Sequence, residues 1–159
     1  MVVILLRMKA DLENIESIEI PPDHVWKLDV RQSAGEERRE NVTFSADQSF
    51  DIPNSRGKAN FLVRWDGSKQ ASTINIQDIK NVTRRTYTAE DSGKFVPVVA
   101  FECRGAEPVA CHASSGYVVK SRKSTFQDVD LSEDWADYDQ EANESVGIYN
   151  VEFEFEVSR

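Results

Sequence analysis

The chain has 159 residues, of which 40% are hydrophobic and 30% are charged, and its formal net charge is −9. This length suits one globular domain that buries a core without requiring disulfides or a metal. No apolar run approaches the roughly 18 residues of a membrane helix, so the sequence predicts no membrane span. The acidic balance argues against direct nucleic-acid binding, in which Lys and Arg displace counterions from phosphates.

The N-terminal segment predicts a half-buried β-strand. Apolar and charged residues alternate between Ile4 and Asp11, which is the period-two pattern of a strand with one face in a core. The segment lacks a basic flank before its apolar residues and a small-residue cleavage site after them, so it does not resemble a secretory signal. The expected compartment is therefore the cytoplasm, with the nucleus as an additional compartment.

Short β-rich runs follow along the chain and are separated by Gly, Pro, Asn and Asp. They lie at residues 24–30, 40–45, 59–65, 72–77 and 95–103, and a strongly alternating strand closes the chain at 149–157. Only residues 12–18 and 132–144 could be helical, the second with Ser132 as N-cap and acids in its first turn. The predicted class is all-β, one domain over residues 1–159, with at most one or two short helical turns.

No catalytic motif is present. The sequence contains no HExxH, GxSxG, CxxC or phosphate-loop pattern. Cys103 and Cys111 are predicted to be free thiols, and Cys111 and His112 are sequence neighbours whose side chains point to opposite faces of an extended strand. The sequence therefore predicts no catalytic residues and no enzymatic activity.

The most acidic stretch lies at residues 128–144, which hold eight carboxylates. A calcium-binding loop beginning at Asp128 fails in detail, because Glu133 stands where an EF-hand needs Gly and Asp139 where it needs a bidentate Glu. A solvated acidic loop is the better interpretation of this stretch.

Several segments carry a resemblance to a known family. FECRGAEP at 101–108, GY at 116–117 and DWADYDQEANESVGIYNVEFEF at 134–155 resemble the C-terminal signature of the eukaryotic CXXC-motif-containing zinc-binding proteins. The N-terminal ILLRMKADLENI, Trp26 and SRGKANF at 55–61 fall in the order expected for that family. The resemblance implies one all-β domain of coiled, bifurcated antiparallel sheets, with a structural zinc and no established enzymatic activity.

The chain departs from this family at the zinc ligands. By spacing, the positions matching the family's two CxxC pairs are Gln32, Gly35, Trp65 and Ser68. None of these residue types is a usual zinc ligand, so we expect no zinc and no other cofactor here. Trp65 is predicted to fill the vacated space as an apolar plug, and the alternative is an exposed aromatic at a hairpin tip.

The predicted function is a non-catalytic binding or adaptor protein with an unidentified protein partner, acting as a monomer. A possible interaction surface comprises the acidic segment and a charged pair on a neighbouring strand, namely Trp135, Asp137, Tyr138, Asp139, Glu102 and Arg104. Exposed aromatic residues among acids suit such a surface, since Trp and Tyr anchor interfaces. In the alternative interpretation, Trp135 and Tyr138 instead seal the core of the sheet.

A different class of function is metal handling at a relocated site. Soft thiolate and imidazole ligands could come from Cys103, Cys111, His24 and His112. This hypothesis requires the four side chains to converge in the folded protein.

Overall fold

The computed structural model describes residues 1–158, and it consists of antiparallel β-strands with a single short 3-10 turn at Ala89–Asp91. The first eight strands are β1 (Val2–Glu13), β2 (Ile15–Glu19), β3 (Trp26–Gln32), β4 (Arg38–Phe44), β5 (Phe50–Asp51), β6 (Lys58–Ala59), β7 (Phe61–Val63) and β8 (Ser72–Gln77). The other seven are β9 (Thr86–Thr88), β10 (Val96–Arg104), β11 (Ala106–His112), β12 (Tyr117–Ser121), β13 (Thr125–Val129), β14 (Trp135–Asp139) and β15 (Glu144–Val157). The all-β prediction is confirmed.

The strands form four sheets. A six-stranded sheet has the order β14-β15-β1-β10-β8-β7, a four-stranded sheet β13-β12-β2-β9 and a three-stranded sheet β11-β3-β4, and β5 pairs with β6 in a small arm. Asn14 separates β1 from β2 and has a φ of 53°, a left-handed conformation that Asn tolerates better than most residues. The chain therefore bends at Asn14 and continues from the six-stranded sheet into the four-stranded one.

The predicted alternation of β1 is confirmed. Leu6, Met8 and Ala10 are fully buried, whereas Arg7 and Lys9 lie on the outer face. On that face Arg7 stands opposite Glu154 of β15, with 2.9 Å between Nη1 and Oε1. One face of the strand thus contributes to the core, and the other carries cross-strand ion pairs.

The core is continuous between the sheets. Trp26 and Phe44 of the three-stranded sheet each place a ring 6.0 Å from the ring of Phe101 in the six-stranded sheet. The four-stranded sheet adds the buried side chains of Ile18 and Tyr117 to the same cluster. Bulky aromatic side chains from different sheets therefore hold the sheets together.

Both helix predictions are wrong. Residues 12–18 form the end of β1 and most of β2, and residues 132–144 contain β14 and the turn that leads into β15. In the second segment the backbone pairs with β15, from Trp135 opposite Ile148 to Asp139 opposite Glu144. This pairing satisfies the backbone groups that a helix would otherwise satisfy, so tertiary context overrides the local capping signal.

No helix within residues 1–158 is long and apolar enough to cross a membrane.

Candidate functional site

Three turns meet at Trp65. The turn between β3 and β4 is closed by the Gln32 N–H, which donates to the Glu37 carbonyl at 2.8 Å, and the turn after β7 by the Ser68 N–H, which donates to the Trp65 carbonyl at 3.0 Å. The third turn, at Gly105, joins β10 to β11. We call this meeting point the Trp65 junction.

The Gly105 carbonyl ties the junction together. It accepts hydrogen bonds from the Ser33 N–H at 3.1 Å and from the indole Nε1 of Trp65 at 3.3 Å. Gly105 has a φ of +76°, and a Cβ on this residue would collide with the hydroxyl of Ser72. A glycine is therefore required here both by the backbone conformation and by the close approach of β8.

The Trp65 side chain is 1% exposed and fills the space between the turns. Its Nε1–H also lies 3.1 Å from the Ser72 hydroxyl oxygen, and the guanidinium of Arg39 sits 5.2 Å from the ring centroid. The alternative of an exposed aromatic at a hairpin tip is wrong. The predicted burial of Trp65 is confirmed.

The four positions that the resemblance assigns to zinc ligands lie around this junction. A Cβ on Gly35 would collide with the side-chain amide of Gln32, so these two residues are in contact within the turn between β3 and β4. The Ser68 hydroxyl donates to the Gln70 carbonyl at 3.0 Å. An amide, a glycine, an indole and a hydroxyl offer no thiolate, imidazole or carboxylate, and these residues do not fit a zinc ion.

The structure does not bring together the four residues of the metal-handling hypothesis. Cys103 is 3% exposed in the core, and its thiol lies 3.6 Å from the Phe101 carbonyl oxygen. Cys111 stands opposite Leu28 in the three-stranded sheet. Burial, with a smaller effect of the nearby Glu107 and Glu102, raises the pKa of the Cys103 thiol to about 12, and burial also raises the pKa of Cys111.

The two histidines have different surroundings. The His24 ring packs 4.6 Å from the centroids of both Trp26 and Tyr117, whereas His112 is half-exposed with Nε2 3.0 Å from Asp29 Oδ1. Within residues 1–158, no three His, Cys, Asp or Glu side chains are grouped so that they could hold a metal ion. The predicted set of Cys103, Cys111, His24 and His112 is therefore wrong as a single site.

Asp139 does not belong to an exposed surface, contrary to the prediction. It is completely buried, and its carboxylate accepts hydrogen bonds from the hydroxyls of Ser121 at 2.6 Å and Ser124 at 2.7 Å. The backbone N–H groups of Lys123 and Ala142 each donate to it at 2.9 Å. Burial alone would raise the pKa of Asp139, but these four hydrogen bonds hold it well below the usual value.

Three other residues of the predicted surface, Trp135, Asp137 and Tyr138, lie on the hairpin formed by β14 and β15, which we call the acidic hairpin. Tyr138 is 38% exposed, and its hydroxyl contacts the side-chain oxygen of Asn143. Asp137 is exposed and accepts a hydrogen bond from the Tyr138 N–H at 2.7 Å. Trp135 is half-buried, and its ring centroid lies 5.1 Å from that of Phe126. The alternative in which these aromatic residues seal the core of the sheet therefore applies to Trp135 and not to the exposed Tyr138.

Glu102 and Arg104 lie elsewhere, on β10. Three inter-strand steps, about 14 Å, separate β10 from β14 across the sheet. Glu102 also stands opposite Val3 at the start of β1, whereas the acidic hairpin adjoins the end of β1 at Glu13. Arg104 Nη2 is 3.7 Å from Glu102 Oε1, and Glu102 Oε2 accepts a hydrogen bond from Gln77 at 2.6 Å. The predicted single surface is therefore divided between the acidic hairpin and a groove of about 750 Å³ that Glu102 and Arg104 line.

Comparisons with known proteins agree with the fold and the resemblance. The profile of the family described as CXXC motif containing zinc binding protein, eukaryotic, matches residues 5–156. A UPF0587 protein of Drosophila melanogaster, CG4646, is 40% identical over 98% of this chain and 97% of its own length. The CXXC motif containing zinc binding protein of Homo sapiens is 35% identical over 96% of each chain.

Solved structures show the same architecture. A hypothetical protein from Plasmodium falciparum has a TM-score of 0.90 and 34% identity, covering 98% of this chain and 100% of its own. The crystal structure of C1orf123 has a TM-score of 0.86 and 32% identity, covering 98% and 99%. The two cysteines here form no CxxC motif, yet the match spans nearly the whole chain. The chain therefore belongs to the eukaryotic family of CXXC motif containing zinc binding proteins.

Proposed function

We propose that this protein is a non-catalytic binding protein in which packing around Trp65 replaces the zinc of its family. The observation that carries the proposal is the burial of Trp65 between three turns, with its Nε1–H directed at Ser72 and Gly105. An indole then stands where the family has a thiolate, and it contacts Ser72 of β8, the turn at Gly105 and Arg39 of β4. An apolar side chain can thus hold together elements that a metal would otherwise join.

The magnitudes make this replacement feasible. A structural zinc contributes on the order of 10 kcal/mol of apparent folding free energy in small zinc modules. A buried indole removes about 150–250 Å² from water, which at roughly 25 cal/mol per Å² stabilises the fold by about 4–6 kcal/mol. The continuous core between the sheets supplies further stability that a small zinc module lacks.

The acidic hairpin is the proposed docking surface for a protein partner. β14 is the outer strand of the six-stranded sheet, and the Tyr138 side chain stands exposed beside the carboxylate of Asp137. An edge strand can pair with an extended segment, and a Tyr can anchor an interface. The surrounding acids favour a partner whose contact segment is basic.

Metal content is the direct test of the first part. The protein is expressed in medium supplemented with zinc and copper and is measured by native mass spectrometry beside the human relative as a control. We expect the apo mass for this chain and a metal-bound mass for the control. One stoichiometric metal ion on this chain would overturn the proposal and direct attention to Cys103 and Cys111.

Partner capture tests the second part. The wild type and an Asp137→Lys, Tyr138→Ala variant are used as baits. The matched charge control is Glu16→Lys, at an exposed residue of β2. We expect a partner that the control retains and the double variant loses. Retention by the double variant would place the docking surface elsewhere.

A further inference from the structure

A polar groove lies beside the Trp65 junction, at the other end of the six-stranded sheet from the acidic hairpin. Its floor is the outer face of β8 and β10, where Thr73 stands opposite Arg104 and Asn75 opposite Glu102. The side chains between these residues, Ile74 and Cys103, point into the core. The floor is therefore a sheet surface that presents Asn75, Glu102 and Arg104, whereas Thr73 is 4% exposed.

Two walls rise from this floor. The arm formed by β5 and β6, with its connecting turn, supplies one wall, and the Asn75 side chain donates to the Lys58 carbonyl of this arm at 3.4 Å. The turns of the Trp65 junction supply the other wall, through Gln32 and Ser68. The enclosed volume of about 750 Å³ lies within the range of ligand-binding clefts, roughly 300–1,000 Å³.

The charges of the groove contrast with those of the molecule. Lys58 and Arg104 line it with one carboxylate, that of Glu102. The adjoining arm and turns carry exposed charges of both signs, namely Arg56 and Lys69 with Asp51 and Asp66. The three lining charges sum to +1, so the other residues of the chain carry −10 of the total net charge of −9. The groove lining is therefore weakly positive on an acidic protein.

The two lining cations are only loosely engaged by the protein. Lys58 Nζ lies 3.9 Å from Asp51 Oδ1, and Arg104 Nη2 lies 3.7 Å from Glu102 Oε1, both longer than a charge-assisted hydrogen bond. Glu102 directs its other oxygen to Gln77 at 2.6 Å. Lys58 and Arg104 thus keep hydrogen-bonding capacity for a ligand, and both are more than 60% exposed.

We infer that this groove binds an extended acidic peptide segment of a partner protein, whose carboxylates contact Lys58 and Arg104. The side-chain amide of Gln32 and the hydroxyl oxygen of Ser68 can hydrogen-bond a peptide backbone lying over the sheet. A single-stranded nucleic acid is a poorer match, because its bases require exposed aromatic platforms and the aromatic residue of the groove, Trp65, is buried. This surface is independent of the acidic hairpin.

The test uses a displayed library of random dodecapeptides, selected on the full-length protein. The most enriched peptide is then synthesised with a fluorescein label, beside a copy in which every Asp and Glu is replaced by Asn and Gln. Binding is measured by fluorescence anisotropy for the wild type, for Lys58→Gln with Arg104→Gln, and for Lys80→Gln with Lys94→Gln. The last variant makes the same charge change at exposed residues that do not line the groove.

We expect selected peptides rich in Asp and Glu, binding that weakens by about tenfold or more in the groove variant, and a change below about twofold in the control. Asp137→Lys is expected to leave this binding intact, which separates a failure here from a failure of the acidic-hairpin proposal. The inference is overturned if no peptide is enriched, if the neutral copy binds equally well, or if the groove variant keeps full affinity. Tighter binding of an oligothymidylate of equal charge would instead assign the groove to nucleic acid.

Discussion

Replacement of Trp65 by Ala is expected to destabilise the protein strongly. The side chain is 1% exposed, and aromatic-to-Ala changes in cores cost about 3–5 kcal/mol through lost burial and the cavity left behind. Ser72 would also lose a buried hydrogen-bond partner, whereas the Gly105 carbonyl would keep the Ser33 N–H. For a chain of this length, about 2–4 °C of Tm per kcal/mol converts the loss into a fall of roughly 6–20 °C.

The assay is thermal and urea unfolding followed by circular dichroism, which does not depend on the fluorescence of the deleted indole. Trp65→Phe keeps an aromatic ring but removes the Nε1 donor, so it should cost less than Trp65→Ala. The matched control is Trp135→Ala, since Trp135 is half-buried at the edge of the sheet. If Trp65→Ala is no more destabilising than Trp135→Ala, the idea that Trp65 holds the junction together is refuted.

Three further outcomes follow from buried polar groups. Burial, with the nearby positive charge of Arg85, lowers the pKa of His24 from 6.5 to about 4 in the folded state. The unfolded chain therefore binds more protons than the folded protein between these pH values, so the free energy of unfolding should fall by about 3 kcal/mol as pH drops from about 6.5 to 4. In urea titrations, His24→Leu should reduce this dependence of the unfolding free energy on pH. Asp139→Asn should lower the urea midpoint at pH 7 far more than Asp137→Asn does, because Asp139 is buried and accepts four hydrogen bonds whereas Asp137 is exposed. An equal effect of the two substitutions would contradict this account. Cys103 should resist alkylation by iodoacetamide at pH 7.5 in the native state and react in urea, because its thiol is buried and its pKa is raised. Mass spectrometry measures the alkylation, and rapid labelling of the native protein would show that the core opens readily.

Much of the strand content could be predicted from alternation alone. β1 and the C-terminal half of β15 show it clearly because one face of each packs on the core and the other carries ion pairs. The strands between residues 106 and 129 lack clean alternation and were not predicted. Their half-buried positions depend on which neighbouring sheet covers them, which is not a local property of the sequence.

The candidate site was predictable only where a family pattern or a residue type constrained it. Trp65 could be singled out because the resemblance assigns its position to a zinc ligand, and a bulky indole at such a position must either be buried or be exposed. Asp137 and Asp139, by contrast, share residue type and strand face, yet one is exposed and the other lies beneath the turn that joins β12 and β13. That turn is near in space and distant in sequence, and so is the arm that forms the wall of the groove.

The pairing of β1 with β15 has a consequence for biosynthesis. These two strands are neighbours in the middle of the six-stranded sheet, and Ile4 pairs with Val157. The ribosome synthesises β1 more than a hundred residues before β15, so the nascent chain cannot close its largest sheet until β15 has been synthesised. Contacts of such long sequence separation also slow folding in vitro. During that interval the β15-facing edge of β1 remains unpaired, and an unpaired strand edge of this kind favours aggregation.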